Sequence, residues 1–422
     1  MGGLVIAAPS SGAGKTTVTL GLLRAFARRG VLVRGAKSGP DYIDPRFLEA
    51  ASGAPCVNLD AFAMGEARLR ALAGGPGTLL VEGAMGLFDG APPDGRGATA
   101  EVARVLGLPV ILVVDASGMA QSAGPLVSGF AQADAGVRVA GVILNKVGSA
   151  RHAGLCARAV EETGVPVLGA LPRRAGLEHP SRHLGLVQAG ERPDLDAFLD
   201  RAAEAAAEGV DLAALLALAG GDLPATKGPR TRPPAQSIAV ARDAAFAFAY
   251  PHLLDDWRAG GAAVAFFSPL ANERVPPCDL VVLPGGYPEL HAGRIASAAT
   301  FLGSLRRAAE TAEVYGECGG YMVMGEALVD ADGTPHAMAG LLPLATSFAR
   351  RRLHLGYRTA QARTGPFAGL WAGHEFHYAT SVRAEGDPLF DVWDAEGTQL
   401  PPAGLRRGRA SGSFVHLIDR MA

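Results

Sequence analysis

From residue 4 to about 172, short apolar runs ending in Gly, Asp or Asn alternate with segments of helical period. The runs LVIAA, TLLVEG, PVILVVDAS, VAGVILNK and VPVLGALP read as strands. Their alternation with helices predicts a parallel sheet wrapped by helices. An Ala-rich stretch over 194–220 predicts one or two helices that close this domain. In residues 223–236, LPATKGPRTRPPAQ, proline and basic residues replace the apolar pattern, as expected of a solvated linker. A second alternation begins at Ser237: SIAVARD, AAVAFFSP and DLVVLPGG read as strands, and FLGSLRRAAE as a helix before VYGECGG. After about residue 340, strands are expected rather than helices. The pattern divides the chain into 1–222, a linker at 223–236, and 237–422, two α/β domains in tandem.

Length agrees, since 422 residues exceed one core and domains run to roughly 100–200 residues. Lys and Arg total 39 against 41 Asp and Glu, a formal charge of −2 that gives no global basis for binding nucleic acid or an acidic membrane. The four cysteines form no CxxC pair and no metal-ligand spacing, which fits a reducing cytoplasm. The first residues lack a charged leader, and apolar runs such as Val110 to Val114 fall far short of a membrane span. A cytoplasmic protein is expected.

Candidate chemistry falls into two constellations. The first is Ala8-Pro9-Ser10-Ser11-Gly12-Ala13-Gly14-Lys15-Thr16-Thr17, which follows a strand and opens a helix running to Gly30. That context makes it a phosphate-binding loop, with Pro9 in place of the usual leading glycine. Backbone N–H groups from Gly12, Ala13, Gly14, Lys15 and Thr16 would cradle a di- or triphosphate, with Thr17 beside them. Lys15 would reach the outer phosphates and the Thr16 hydroxyl would ligate Mg²⁺. Carboxylates at strand ends would complete the metal site: Glu82 first, Asp41 second. Asp44 and Asp89 are expected to face the substrate, and Asn145 to contact the adenine of ATP.

The second is Gly316-x-Cys318-x-Gly320, a strand-to-helix elbow with sulfur as the nucleophile. Small neighbours let such a turn expose the thiol, and the helix that follows favours its thiolate. A basic partner is still needed, and His416 at the end of an apolar segment is the candidate. Gly285 and Gly286, closing the strand DLVVLPGG, could turn N–H groups toward an oxyanion. Together these describe acyl transfer from an amide. His374-Glu375-Phe376-His377 lacks the HExxH spacing, so metal binding there is disfavoured. Arg350-Arg351-Arg352 could meet an acidic substrate or form a solvated face. Cys56, Cys156 and Cys278 read as structural.

The motifs APSSGAGKTT, KSGPDYIDP, VEGAMGLFDG, ILNKVG, RHLGLVQA, VARDAAFAF, LPGGYPELHA, YGECGGYMVMG, GHEFHYA and SFVHL span nearly the whole chain. In combination they resemble the cobyrinic and hydrogenobyrinic acid a,c-diamide synthases of cobalamin biosynthesis. The resemblance implies a dethiobiotin-synthetase-like P-loop domain of parallel sheet, followed by a class I, triad-type glutamine amidotransferase domain. It implies ATP- and glutamine-dependent amidation of the a and c carboxylates of a corrinoid, with Cys318 as nucleophile and His416 activating it. It also places Asp41, Tyr42, Asp44, Glu82 and Asp89 in segments that recognise nucleotide, metal and corrinoid.

Triad glutaminases usually carry a Glu two residues after the histidine, where this chain has Ile418. A Cys–His dyad is therefore expected, with Asp419 a weak candidate to orient the imidazole. Neither the choice between metal-free and cobalt-containing ring nor a homodimer is decided by the sequence. Amidation of the cobyric acid synthase type and a partition-type regulatory ATPase are the alternatives; the latter's early loop lysine is replaced here by Ser10.

Overall fold

Leu4, Val5, Ile6 and Ala7 are all buried, as a strand covered on both faces of a parallel sheet must be. They form β1 (Gly3–Ala7), the centre of a seven-stranded sheet in the computed structural model of the chain, which describes residues 2–177, 181–182 and 185–421, with 181, 182, 185 and 186 as backbone only. Within the RHLGLVQA segment, His183 and Leu184 lie outside the described residues. The other strands are β2 (Val33–Ser38), β3 (Val57–Leu59), β4 (Thr78–Glu82), β5 (Val110–Asp115), β6 (Val139–Val147) and β7 (Val167–Pro172). Their order is β3-β2-β4-β1-β5-β6-β7, and every pairing is parallel.

Five of these strands are the expected ones. The sequence pattern passes over β2 and β3: Arg34, Gly35 and Lys37 interrupt the apolar run of one, and the other has three residues. Helix α1 (Lys15–Arg28) buries Val18, Leu20, Leu22, Leu23 and Phe26. Helix α2 (Asp44–Ser52) follows β2, and the Ala-rich stretch forms α3 (Leu195–Gly209) and a short helix at Leu212–Ala217, the two closing helices it predicts. Arg24 of α1 donates to Asp200 of α3 at 2.8 Å.

The chain divides into compact units at Met1–Pro229 and Arg230–Ala422. In the second unit lie β8 (Ser237–Ala241), β9 (Ala263–Phe267), β10 (Leu280–Leu283), β11 (Glu313–Glu317), β12 (Gly369–His377), β13 (Leu405–Arg407), β14 (Ala410–Ser413) and β15 (His416–Arg420). One sheet has the order β9-β8-β10-β11-β14-β13, parallel except for its last pair. A second, antiparallel sheet runs Gln399–Ala403, Phe390–Trp393, His354–Ala362, β12, β15. Residues beyond 340 are indeed strands. The chain leaves the first sheet at Ser413 and enters the second at His416, which carries that histidine past the end of β11. No helix among the described residues is long and apolar enough to cross a membrane.

The turn after β11 leads into α4 (Gly319–Met324) so tightly that a Cβ on Gly320 would stand 1.9 Å from the Leu283 carbonyl oxygen. Backbone cannot yield there, so Gly320→Ala should destabilise the second unit by about 3 kcal/mol. Gly408→Ala, at φ 60 with open space around it, should cost only about 1 kcal/mol. All three tryptophans lie in the second unit, so urea denaturation followed by tryptophan fluorescence reads this difference directly. Equal costs at both positions would contradict the packing described.

Candidate functional site

In the first unit, parallel register sets the site. Ile6 of β1 stands opposite Glu82 of β4, and Lys37 of β2 stands opposite Glu82 from the other side. The loop from β1 to α1 turns through Gly12 and Gly14 at φ 80 and 91, left-handed values that glycine adopts without strain. Ala13 is buried between them, and its carbonyl accepts from the Asn145 side chain at 2.8 Å. The Thr16 hydroxyl donates to Glu82 Oε1 at 2.6 Å, and the Thr17 hydroxyl to the Leu177 carbonyl at 3.4 Å. Lys15 Nζ reaches the Met85 carbonyl at 2.5 Å. Burial lowers the pKa of Lys15, as does the neighbouring Lys37, while Glu82, Asp44 and Asp89 oppose them.

Lys37 is the residue the sequence pattern overlooks. Its ammonium is almost fully buried and donates to Asp44 Oδ2 at 2.5 Å and to Glu82 Oε1 at 2.9 Å. Burial alone would discharge it, but Asp44 and Glu82 outweigh that and raise its pKa. Burial pushes Glu82 up to about 7, against the pull of Lys37. The signal in the sequence was a lysine inside what proves to be a buried parallel strand. Lys146 adds a second contact to the loop, donating to the Gly12 carbonyl at 2.8 Å and to Asp115 at 2.6 Å.

Among the expected carboxylates, Asp41 accepts from the Ile43 and Asp44 amides at 2.7 and 2.9 Å, so it caps the start of α2. Burial and Asp44 raise its pKa to about 6. Tyr42 is half-buried in the same turn, and Asp89, exposed, accepts from the Gly86 amide at 2.8 Å. No group of three or more His, Cys, Asp or Glu able to hold a metal occurs among the described residues. Glu82 Oε2 is buried with no hydrogen-bond partner. One orphaned carboxylate oxygen beside a threonine hydroxyl suits a hard cation that takes its remaining ligands from phosphates and water, as Mg²⁺ does.

In the second unit, Cys318 stands between β11 and α4 with φ 45 and ψ −101, a backbone value rare for a non-glycine residue. Its amide donates to the Ser413 carbonyl at 2.8 Å, and its thiol side chain is buried against His416, with which it hydrogen-bonds. Gly285 makes room for that imidazole, since a Cβ there would lie 2.4 Å from His416 Cε1. The Pro284 carbonyl accepts from the Gly320 amide at 3.1 Å, which lays the Gly285-Gly286 loop against the elbow. Burial opposes a charge on His416, yet Cys318 and Glu317 overcome it and hold its pKa up at about 10.

His416 pairs across the antiparallel ladder with His374, and the two rings stack 4.9 Å apart at 15°. His374 receives or donates a hydrogen bond with the Tyr250 hydroxyl at 3.1 Å, and burial, with the charge of His416, keeps its pKa well below the ordinary histidine value. His377 stacks between His354 and Phe414 at 4.6 and 3.9 Å. The HEFH histidines thus serve ring packing. Alternation along β15 puts Ile418, not Asp419, on the face of His416. Asp419 accepts from the Thr231 hydroxyl at 2.8 Å. The carboxylate that does stand beside the imidazole is that of Glu317, at 3.7 Å from Nδ1.

Residues 4–187 match the CobQ/CobB/MinD/ParA nucleotide binding domain, and residues 237–420 the CobB/CobQ-like glutamine amidotransferase domain. Relatives named hydrogenobyrinate a,c-diamide synthase include one from Rhodobacter capsulatus, 53% identical over 99% of this chain and 98% of that one. Those from Rhizobium meliloti and Brucella anthropi are 54% and 52% identical, each over 99% of both chains. With its nucleotide-binding and glutamine amidotransferase domains both matched, and relatives that run its full length, the chain belongs to the hydrogenobyrinate a,c-diamide synthase family.

Proposed function

We propose that this enzyme uses ATP and glutamine to convert the a and c carboxylates of hydrogenobyrinic acid into amides. The observation that carries the reading is full-length identity above half to relatives bearing that name. Residues 1–222 would form the ATP-dependent amide synthase part, 223–236 the linker and 237–422 the glutaminase, in a cytoplasmic enzyme.

A carboxylate oxygen is a poor leaving group and phosphate a good one. In the first unit, the loop amides from Gly12 to Thr16 hold the phosphates of ATP, and Lys15 neutralises charge on the outer ones. The substrate carboxylate takes the γ-phosphoryl group, and ADP leaves. Ammonia then attacks the acyl phosphate carbon, phosphate departs, and an amide remains. Thr16 and Glu82 would hold Mg²⁺, which when bound offsets phosphate charge. Asp41 would be a further carboxylate near that ion, Tyr42, Asp44 and Asp89 would meet the corrinoid acid, and Asn145 the base of ATP.

In the second unit, the proton of the Cys318 thiol rests on His416, and the thiolate so formed attacks the side-chain amide carbon of glutamine. Amide N–H groups at Gly285 and Gly286 are suited to the oxyanion. The imidazolium returns its proton to the departing nitrogen, releasing ammonia and leaving a thioester. Water then hydrolyses the thioester to glutamate and free thiol.

Two variants separate the halves. Cys318→Ser should abolish glutamine-dependent amidation, by at least about 1,000-fold, while ammonium salts still support it. Loss of both activities would mean that Cys318 only holds the fold. Lys15→Ala should remove ATP-dependent synthesis and spare glutamate release; normal synthesis would sink the phosphate-loop assignment.

The proton on His416 also has a signature in stability. Unfolded histidine titrates near 6.5 and folded His416 near 10. The stabilisation is therefore complete below the first value and is lost as pH rises through the second. Urea denaturation followed by tryptophan fluorescence should show the second unit weakening toward pH 10 more steeply in wild type than in His416→Gln. Parallel pH slopes would contradict a buried imidazolium.

A further inference from the structure

Glu317 is the last residue of β11, immediately before the nucleophile, and register places it beside Ser413 of β14. Three contacts fix its carboxylate. Oε1 accepts from the Leu417 amide at 3.2 Å and from the Tyr315 hydroxyl at 3.4 Å, and Oε2 lies 3.7 Å from His416 Nδ1. Tyr315 is itself buried. Behind the carboxylate lies a small, mostly apolar cavity lined by Val240, Tyr250, Trp257, Phe367 and Leu417. The Glu317 side chain is only 13% exposed, so its charge acts strongly on the imidazole.

Other titratable groups around His416 do not duplicate this. Cys318 is the proton donor. His374 and His377 are kept neutral by burial, and the charge of His416 lowers both further. Arg358, which also acts on His374, is engaged with Glu375 at 2.7 Å.

We propose that Glu317 is the positioning residue of the glutaminase, holding the His416 ring and stabilising the imidazolium that forms when the Cys318 thiol gives up its proton. The relay acid thus comes from the residue preceding the nucleophile rather than from the position after the histidine, which Ile418 occupies. The inference rests on the glutaminase reading given above. Glu317→Gln keeps the shape and an acceptor for the Leu417 amide but removes the charge. Glu317→Asp keeps the charge at shorter reach.

The test uses the full-length protein with ATP, Mg²⁺, hydrogenobyrinic acid and glutamine, reading glutamate release. It also follows the pH dependence of iodoacetamide alkylation at Cys318 by peptide mass spectrometry. In Glu317→Gln, kcat for glutamine should fall about 100-fold with KM within about twofold. Its alkylation midpoint should move to higher pH, and ammonia-supported amidation should be unchanged. Glu317→Asp should recover part of both losses. Wild-type kcat with an unmoved alkylation profile in Glu317→Gln would overturn the inference. So would equal impairment of both variants together with loss of ammonia-supported amidation, which would make the role structural. Wild-type protein that releases no glutamate would overturn the glutaminase reading, and this inference with it.

Discussion

Lys37 and His416 are cations buried where water cannot solvate them, and each survives as a cation because acids are set against it. Lys37 lies between Asp44 and Glu82; His416 lies between Cys318 and Glu317. A buried charge without partners would neutralise itself, so the position of every one of these groups is constrained by the others. Both clusters sit at the carboxyl ends of parallel strands, where neighbouring strands in register bring distant residues to one edge. The chemistry proposed for the two units follows from that placement: phosphate charge would be met in the first, and a thiol deprotonated in the second.

Short-range features were legible in the sequence. The phosphate loop, its helix and the glycine-flanked cysteine announce themselves because local backbone geometry demands glycine at particular points. The strand-rich character after residue 340 was legible as well. Strand β2 was not, because Arg34, Gly35 and Lys37 break its apolar pattern. Lys37 is tolerated there through carboxylates seven and 45 residues away, which only the folded sheet brings near. Asp41 has the look of a ligand, yet its carboxylate serves the backbone of α2, a local use that Asp favours before helices. Glu317 was in plain view beside Cys318, but its pairing with His416 depends on the chain crossing from one sheet to the other between Ser413 and His416. No spacing rule encodes that crossing.

The neutral His374 ring refines the same balance. Stacked on His416, it supplies a flat, uncharged neighbour that fixes the plane of the imidazole without competing for its proton. Close approach of Gly285 and Gly320 leaves the ring and the elbow little room to move. Preorganisation of this kind lowers the reorganisation that each proton transfer requires.

The central claim is that nitrogen freed from glutamine at Cys318 ends on the carboxylates that ATP has activated. Mass spectrometry of the corrinoid after incubation with ATP, Mg²⁺, glutamine labelled with ¹⁵N at the side-chain amide, and unlabelled ammonium tests it most directly. The expected product is the a,c-diamide of hydrogenobyrinic acid carrying the label in both new amides. A diamide without label, or an unchanged hydrogenobyrinic acid alongside released labelled ammonia, would contradict it.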